Sequence, residues 1–597
     1  MKNITKMVAV ALTLVASSLQ AQWKFEQVSY VGALEADASK DWTKNWTNWT
    51  PKTTTYADPT DTTTLNGAAA GTLNITNTLT LDASKVYLLK GLIVVKSGGD
   101  LVIPAGTLIR CKADITASPK NYATVVVERG GQIHINGTEA KPVVFTSYKN
   151  TGRDRGDWGG IALCGKSPNN QGTDVQLEGF NNVSFDNTLA KGGGTTDDDN
   201  SGSITYCRIE FGGFAFEPNK EINGLTFNSV GNKTVIDNVQ VAFSGDDSYE
   251  WFGGSVLCKH LIAYNGTDDD FDTDFGYRGA VQFAIGHKDT SYYDLSYNLP
   301  SGASTSEGFE SDNDAGGSGK LPLTSAVFSN VTMVGPVPVG STYSALSATA
   351  RNAFRRGIRI RRNSRLSIVN SIFMGYRNFV MFDGDSTLKA AGVMDTSSGY
   401  SFPKNNLFRN NIIVNTTSAF GPASTTANGL AEVASNNTAY LKHLSNWIKA
   451  STNSNRVDPV AYTAGTLLVD PKNPTAPDFK PVTGSPALSG SNFSLDRLND
   501  FGVVNSVKTL NTISGVNISP NPASSSVMID FDSETSMQVK IQILNMAGAV
   551  VKDFGTQSVT KGMNVMSLDI SHMQSGMYLV RIASNGGFYS SRLMIQK

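Results

Sequence analysis

The chain has 597 residues, of which 17% are charged and 57 are glycine, and its formal net charge at pH 7 is -1. The charged share lies below the usual quarter and the glycine share above average, as in many β-rich extracellular proteins with numerous turns. A chain this close to neutral has no overall field that would attract nucleic acid, so we expect no nucleic-acid partner.

The first residues have the pattern of a secretory signal peptide. Lys2 and Lys6 form a positive start, residues 7–16 are mostly apolar, and Ala21 is a small residue suited to cleavage. This pattern predicts a signal peptide over residues 1–21. Beyond it the chain has no run of 18 or more apolar residues, so we expect no transmembrane segment after the signal is removed.

Residues 22–72 form a polar, threonine-rich segment that contains Trp42, Trp46 and Trp49. Two interpretations are open for these tryptophans. Their rings could stack on sugar faces, or they could cap the open end of the domain that follows. Because an uncapped stack of strands exposes its apolar core, we predict an N-terminal cap segment.

Residues 73–490 consist of short apolar strands separated by glycine or asparagine, with no long amphipathic helix except weakly near residues 430–450. The repeat units are small and uneven, which argues against a β-propeller or a string of sandwiches. The sequences PAGTLI at 104–109, ERGGQIHINGT at 128–138 and KPVVFTS at 141–147 resemble the opening coils of right-handed parallel β-helix proteins. DFKPVTGSPA at 478–487 resembles their closing coil, which predicts a β-helix over residues 73–490 and a linker over residues 491–512.

Asparagine recurs in front of apolar strands in this region. Such residues can occupy a turn of a β-solenoid and stack from coil to coil, with each amide bonding the next. The positions are Asn182, Asn238, Asn330, Asn370 and Asn411.

The densest group of functional side chains is acidic. Asp247 and Asp270 lie 23 residues apart, about one coil, so stacked coils would bring their carboxylates within about 5 Å of each other. Such a stack needs a neutralising cation, and a hard ion that takes six to eight oxygen ligands suits it, so we predict calcium. The candidate ligands are Asp246, Asp247, Asp268, Asp269, Asp270, Asp272, Asp274, Glu310, Asp312 and Asp314, with Glu307 beside the last three. The alternative is that these residues are solvated loop acids or turn formers.

Aromatic and basic residues near the acids are candidate ligand-binding groups: Tyr249, Trp251, Arg359 and Arg361. In residues 358–361 the isoleucines alternate with the two arginines, so the arginines would form a basic ridge on one face. A second hypothesis is catalytic, because paired carboxylates can act as general acid and base in glycoside hydrolysis. Its candidates are Asp246, Asp247 and Asp270. The pair Asp246-Asp247 resembles the aspartate pair of polygalacturonase-type hydrolases, but His260 and His287 lack the glycine flanks of that family's histidine.

Residues 513–597 contain about seven short alternating strands with turns between them, which predicts a small β-sandwich. ISPNPA at 518–523, ILNMAG at 543–548, SGMYLVRI at 575–582 and RLMIQK at 592–597 resemble the C-terminal sorting domain of type IX (Por) secretion cargo. The resemblance implies that the type IX machinery is a partner and that the protein is secreted or attached to the outer surface of a Gram-negative bacterium.

The whole chain therefore has the predicted architecture of an all-β protein, a right-handed parallel β-helix followed by a β-sandwich. GDWGGI at 156–161, SGDDSYEWFGG at 244–254 and GFESDND at 308–314 resemble large secreted β-helix proteins with type IX tails, a family without an established activity. We predict a secreted or cell-surface protein that binds a glycan or a surface partner and is stabilised by calcium. The alternative is a polysaccharide hydrolase or lyase that uses carboxylates of the acidic loops, and the sequence leaves open whether the protein is an enzyme.

Overall fold

The computed structural model describes residues 23–59, 64–65, 72–113, 123–180, 188–217, 220–294, 305–338, 340–341, 343–384, 387, 407–414, 431–433, 446–458, 465–501, 503–505, 513–545, 550–584 and 587–597. The predicted signal peptide and Asn182 lie outside these ranges. The chain divides into two compact units, residues 29–502 and 503–597, with residues 26–28 grouped with the second. No helix within the described ranges is long and apolar enough to cross a membrane.

Two long parallel sheets form the first unit, and the chain alternates between them as it winds. The described residues contribute 17 strands to the first sheet. These strands are Thr64–Leu65, Thr78–Thr80, Val86–Leu89, Asp100–Pro104, Leu108–Cys111, Gln132–Asn136, Val143–Ser147, Gly202–Glu210, Val235–Ala242, Leu257–Tyr264, Ala280–His287, Val327–Val334, Ser367–Val369, Ile372–Met374, Phe408–Arg409, Ile412–Val414 and Arg456–Asp458.

The second sheet has 11 strands in the described residues, also in parallel pairs. They are Thr72–Ile75, Leu92–Val95, Thr124–Val127, Gly160–Cys164, Leu225–Asn228, Tyr249–Phe252, Phe271–Asp274, Phe309–Ser311, Arg356–Arg361, Asn378–Asp383 and Ala431–Val433. In the second sheet, strands that follow one another in the list are neighbours in space, each one coil further along. In the first sheet several coils contribute two short strands, so that Thr64–Leu65 pairs with Val86–Leu89 and Thr78–Thr80 pairs with Asp100–Pro104. The predicted parallel β-helix is confirmed.

Several short strands and helices lie outside the two long sheets. The remaining short strands are Phe25–Gln27, Val175–Gln176, Lys191–Gly192, Ala215–Glu217, Lys220–Glu221, Leu468–Asp470, Asp478–Pro481 and Val503–Asn505. The α-helices with both bounds described are Ala348–Ala353 and Asp496–Asn499, residues 446–448 are also α-helical, and the 3-10 helices are Ala38–Lys40, Tyr343–Ala345, Ser451–Asn453 and Pro486–Leu488.

A column of left-handed residues bends the longer strands of the first sheet. Its members have φ between 47° and 61° and are Tyr206, Asn238, His260, Phe283, Asn330, Asn370 and Asn410. Asparagine suits such corners because its short polar side chain tolerates the left-handed conformation. The predicted bonding of each amide to the next is wrong for Asn330 and Asn370. The Asn330 amide donates to the Tyr30 carbonyl, and that of Asn370 to the Ser329 hydroxyl and the Asn492 carbonyl.

The Trp-rich segment lies lengthwise along a flank of the β-helix. Residues 29–57, which we call the flank strap, begin beside the coil of Asn370, whose carbonyl accepts from the Gly32 N–H at 2.8 Å. The strap ends beside Arg110, which donates to the Ala57 carbonyl at 2.9 Å. The expected end cap is therefore corrected to a lateral cover. The physical reason is that the first sheet carries apolar side chains on its outer face, and these bury Trp46.

Replacing Trp46 by alanine tests the strap. Trp46 is fully buried against residues such as Ala242 and Ile262 of the first sheet. We expect Trp46→Ala to lower the free energy of unfolding by about 3 to 5 kcal/mol, the usual cost of emptying a large aromatic site. Thr55→Ala, at an exposed strap position, is the matched control and should cost less than about 0.5 kcal/mol. Denaturant titration measures both, and equal midpoints for the two variants would contradict the lateral packing.

The second unit consists of two antiparallel sheets. One contains Ile513–Ser519, Ser526–Ser533 and Gly562–Asp569, and the other Met537–Asn545, Val550–Val559, Gly576–Ser584 and Gly587–Ile595. Alternate residues of these strands, such as Ile529 and Ile541, are fully buried in one common core. The predicted β-sandwich is thereby confirmed.

Candidate functional site

The outer face of the second sheet is the candidate site, and strand alternation determines which side chains it carries. In strand Tyr249–Phe252, Tyr249 and Trp251 point into the core, so Glu250 points out. The register places Glu250 opposite Asp272, Asp272 opposite Glu310, and Glu310 opposite Arg359. Neighbouring strands are about 4.8 Å apart, so these four side chains form one continuous outward column.

The turns that lead into these strands carry a second column of acids. The Asp247 carboxylate accepts from the Asp269 N–H at 2.8 Å, and that of Asp269 accepts from the Glu307 N–H at 2.6 Å. Glu307 in turn accepts from the Arg356 N–H at 2.9 Å and from its guanidinium at 2.7 Å. Each carboxylate therefore satisfies a backbone donor of the following coil.

Two sets of carboxylates could hold a metal ion. One set comprises Asp246, Asp247 and Asp268, and the other Asp247, Glu250 and Asp272; in each, one oxygen per residue lies within 4.8 Å of the others. Asp247 belongs to both sets. Sequence reasoning missed Glu250, although its outward position between two inward aromatic residues was a readable signal.

Burial and mutual repulsion disfavour negative charge in these sets. Burial is the largest cause that raises the pKa of Asp247 well above its ordinary value, followed by the charges of Asp246 and Asp269. Burial likewise raises the pKa of Asp272, with Glu310 next in effect. The pKa of Glu250 is raised by burial and then by Asp272. A bound divalent cation would reverse this balance, because it favours the ionised carboxylates.

Arginines neutralise the acids further along the same face. Arg359 lies 3.1 Å from Glu310 and 2.8 Å from Asp383, and Arg361 lies 2.8 Å from Asp312. The predicted basic ridge therefore faces outward, but its guanidinium groups are engaged in ion pairs. Glu310 and Asp312, which were predicted as calcium ligands, have arginine partners instead.

Asp270 does not lie beside Asp247 as the 23-residue spacing predicted. Tyr249 opposes Phe271, a repeat of 22 residues, so Asp247 is aligned with Asp269. Asp270 points to the other side, where its carboxylate oxygen lies 3.1 Å from the Lys288 Nζ and neither side chain is exposed. Burial raises the pKa of Asp270 to about 6, and Lys288 opposes that rise. Asp270 is thus removed from both the metal set and the catalytic alternative.

The last two predicted acids, Asp274 and Asp314, have local backbone partners. Asp274 accepts from the Phe275 N–H at 2.6 Å, and burial, then Asp312, raises its pKa. Asp314 accepts from the Gly316 N–H at 2.8 Å and from the Ser318 hydroxyl at 2.6 Å. Asp314 is therefore the turn former of the alternative interpretation.

Tyr249 and Trp251, predicted to bind a ligand, are fully buried. The Tyr249 ring stacks on Phe271 at 5.6 Å and the Trp251 ring on Phe227 at 5.4 Å, all inside the β-helix. Because alternation turns both rings inward, that prediction is wrong.

Comparison with known proteins places both units. The family model described as "Pectate-lyase like beta helix domain" matches residues 73–452, and "Secretion system C-terminal sorting domain" matches residues 517–596. No curated protein matches the chain. Among solved structures, the enzymatically active domain of tailspike protein 2 from bacteriophage CBA120 aligns with 86% of this chain and 72% of its own, at 10% identity and a TM-score of 0.22. Full-length tailspike protein 2, from an Escherichia coli O157:H7 bacteriophage, aligns over 86% and 65% at 10% identity and a TM-score of 0.19. Neither alignment is close enough to support an argument.

Proposed function

The chain belongs to the pectate-lyase-like β-helix domain family, and from that premise we propose that its acidic face binds calcium and, through calcium, an acidic glycan outside the cell. The sorting domain makes the protein a cargo of the type IX machinery, secreted or attached to the surface of a Gram-negative bacterium. Export brings the acidic face to an environment where calcium and polysaccharides are both available.

One observation carries the calcium proposal: Asp247 is shared by two carboxylate sets, and each set joins the same two adjacent coils. Calcium takes six to eight oxygens at about 2.4 Å, and carboxylates supply them in mono- or bidentate form. Arginines pair with Glu310 and Asp312 on a later coil. The two carboxylate sets that contain Asp247 lie on the coils before it, earlier in the sequence. A cation there would neutralise the buried carboxylates that repel one another.

The surroundings of the sets favour an anionic ligand. Asp246, Asp268 and Asp272 are partly exposed, so an ion held there keeps positions open for the oxygens of a glycan carboxylate. Arg362, with 40% of its side chain exposed, and Arg361 follow on the same face, where both are paired with Asp312. A linear polyuronate could therefore lie along the coils, with its carboxylates on the calcium and near the arginines.

Asp247→Asn tests the calcium site. We expect calorimetry to show calcium affinity at least about tenfold weaker in this variant, because the shared carboxylate loses its charge. Asp154→Asn, on a side chain that is 54% exposed and outside both sets, is the matched control and should bind like the unaltered protein. Equal affinities for both variants, or no binding by the unaltered protein at submillimolar calcium, would contradict the proposal.

The glycan half of the proposal has its own measurement. We expect polygalacturonate to bind the purified protein in calcium, to dissociate in chelator, and to bind more tightly than an uncharged polysaccharide of similar length. Binding that is equally strong in chelator would place the glycan elsewhere on the molecule.

Polysaccharide cleavage is the second candidate, and the family description favours it. With Asp270 turned inward, Asp246 and Asp247 remain as candidate acid and base. An enzyme would release reducing ends or unsaturated uronate products, and it would lose rate by orders of magnitude in Asp247→Asn while keeping its fold. Binding of the polysaccharide without release of any cleavage product would favour the glycan-binding function.

A further inference from the structure

Lys288 and Asp270 form a fully buried pair that the proposed function does not use. Lys288 follows strand Ala280–His287 of the first sheet, and Asp270 precedes strand Phe271–Asp274 of the second, one coil earlier. The Lys288 Nζ lies 3.1 Å from a carboxylate oxygen of Asp270, and both side chains are 0% exposed.

Few hydrogen bonds are made to the Asp270 carboxylate of this pair, although the buried side chains of Lys472 and Tyr376 interact with its charge. The Asp270 carboxylate borders Gly286, where an added Cβ would lie 2.7 Å from one oxygen, and Met333 packs at the same place. Within the described residues, apart from the contact with Lys288, neither Asp270 oxygen has a hydrogen-bond partner. The Lys288 Nζ donates to the Asp268 carbonyl. The nitrogen is therefore held beside the carboxyl group while one of its protons is directed elsewhere.

Two full charges in this place are costly. Removing an ammonium and a carboxylate from water costs several kcal/mol per ion, and their attraction offsets that cost only when further hydrogen bonds satisfy the remaining atoms. Those bonds are missing at Asp270 in the described part of the chain. A neutral product that keeps the bond to the Asp268 carbonyl would remove the cost.

We propose that Lys288 and Asp270 condense to an isopeptide cross-link. The ammonium first transfers a proton to the carboxylate, which leaves a neutral amine and a carboxylic acid. The Nζ then attacks Cγ and forms a C–N bond, and the C–OH bond breaks as the hydroxyl leaves with a proton from the nitrogen. One water is released, and the step needs no oxidant, reductant or cofactor. The amide retains one N–H for the Asp268 carbonyl.

Mass spectrometry of the purified, denatured protein tests the proposal. We expect a trypsin digest to contain a branched peptide in which residues 260–278 are joined to residues 279–320, uncut at Lys288 and lighter than the sum by one water. Recovery of residues 260–278 and 279–288 as separate, unmodified peptides would overturn the proposal. The reading is made on unfolded chains of the unaltered protein, so it does not depend on whether a variant folds.

Lys288→Arg identifies the nucleophile. A guanidinium does not form this amide, so the branched peptide should be lost and residues 260–278 recovered unmodified. Lys472 is the nearest competitor, because its Nζ donates to the Lys288 carbonyl at 2.5 Å. A branch through Lys472, in the unaltered protein or in Lys288→Arg, would overturn the assignment to Lys288.

Discussion

Calcium should raise the melting temperature of the purified protein far more at pH 8 than at pH 5. At a calcium concentration of about 100 times the dissociation constant, each site would stabilise the folded protein by about 2.7 kcal/mol. At pH 5 protons compete for the same carboxylates and weaken the binding. Thermal melts in calcium and in chelator, at several pH values, measure the difference.

The expected sign follows from the raised pKa values of Asp247, Glu250 and Asp272. In chelator the folded protein holds protons that the unfolded chain has already released, so these groups lower stability as pH rises from the unfolded pKa, about 4, through the folded pKa. The contribution of these three acids to stability is thus most favourable at low pH. At higher pH, calcium binding should restore the stability that is lost when they ionise. A calcium effect of equal size at pH 5 and pH 8 would contradict this account of the acids.

Arg356→Met should be among the most destabilising single changes on this face. The Arg356 guanidinium lies 2.7 Å from the Glu307 carboxylate, and the two side chains are only 5% and 0% exposed. Removing one partner of a buried pair leaves an uncompensated charge, which costs about 3 to 5 kcal/mol. Denaturant titration of the variant measures the loss.

Two further variants separate this pair from surface charge in general. Lys233→Met breaks a pair whose side chains are 58% and 59% exposed and should cost at most about 1 kcal/mol. The double variant Arg356→Met with Glu307→Gln should recover a large part of the loss, because no buried charge is left unpaired. A double variant no more stable than Arg356→Met would show that the arginine acts through packing alone.

Strand alternation allowed much of the fold to be predicted, but the register of the coils could not be. An average coil of about 23 residues predicts stacked carboxylates, yet Tyr249 opposes Phe271 after 22 residues while Leu257 opposes Ala280 after 23. A shift of one residue moves a side chain to the opposite face of a strand. That shift separates Asp270 from Asp247 and places the Asp270 carboxylate beside the Lys288 Nζ.

The flank strap was also beyond the prediction, although the strands it covers carried a signal. Strand Leu257–Tyr264 ends in four consecutive buried residues, Leu261, Ile262, Ala263 and Tyr264. A strand that is apolar on both faces must be covered on both. Its sequence therefore required an outer layer but did not identify which segment supplies it, since the strap contacts coils far away in sequence.

Anomalous diffraction from crystals grown with a lanthanide in place of calcium tests the central claim most directly. The account predicts a peak about 2.4 Å from carboxylate oxygens of Asp247, shared with Asp246 and Asp268 or with Glu250 and Asp272. Crystals in which the lanthanide occupies other positions, while these carboxylates remain without an ion, would contradict it.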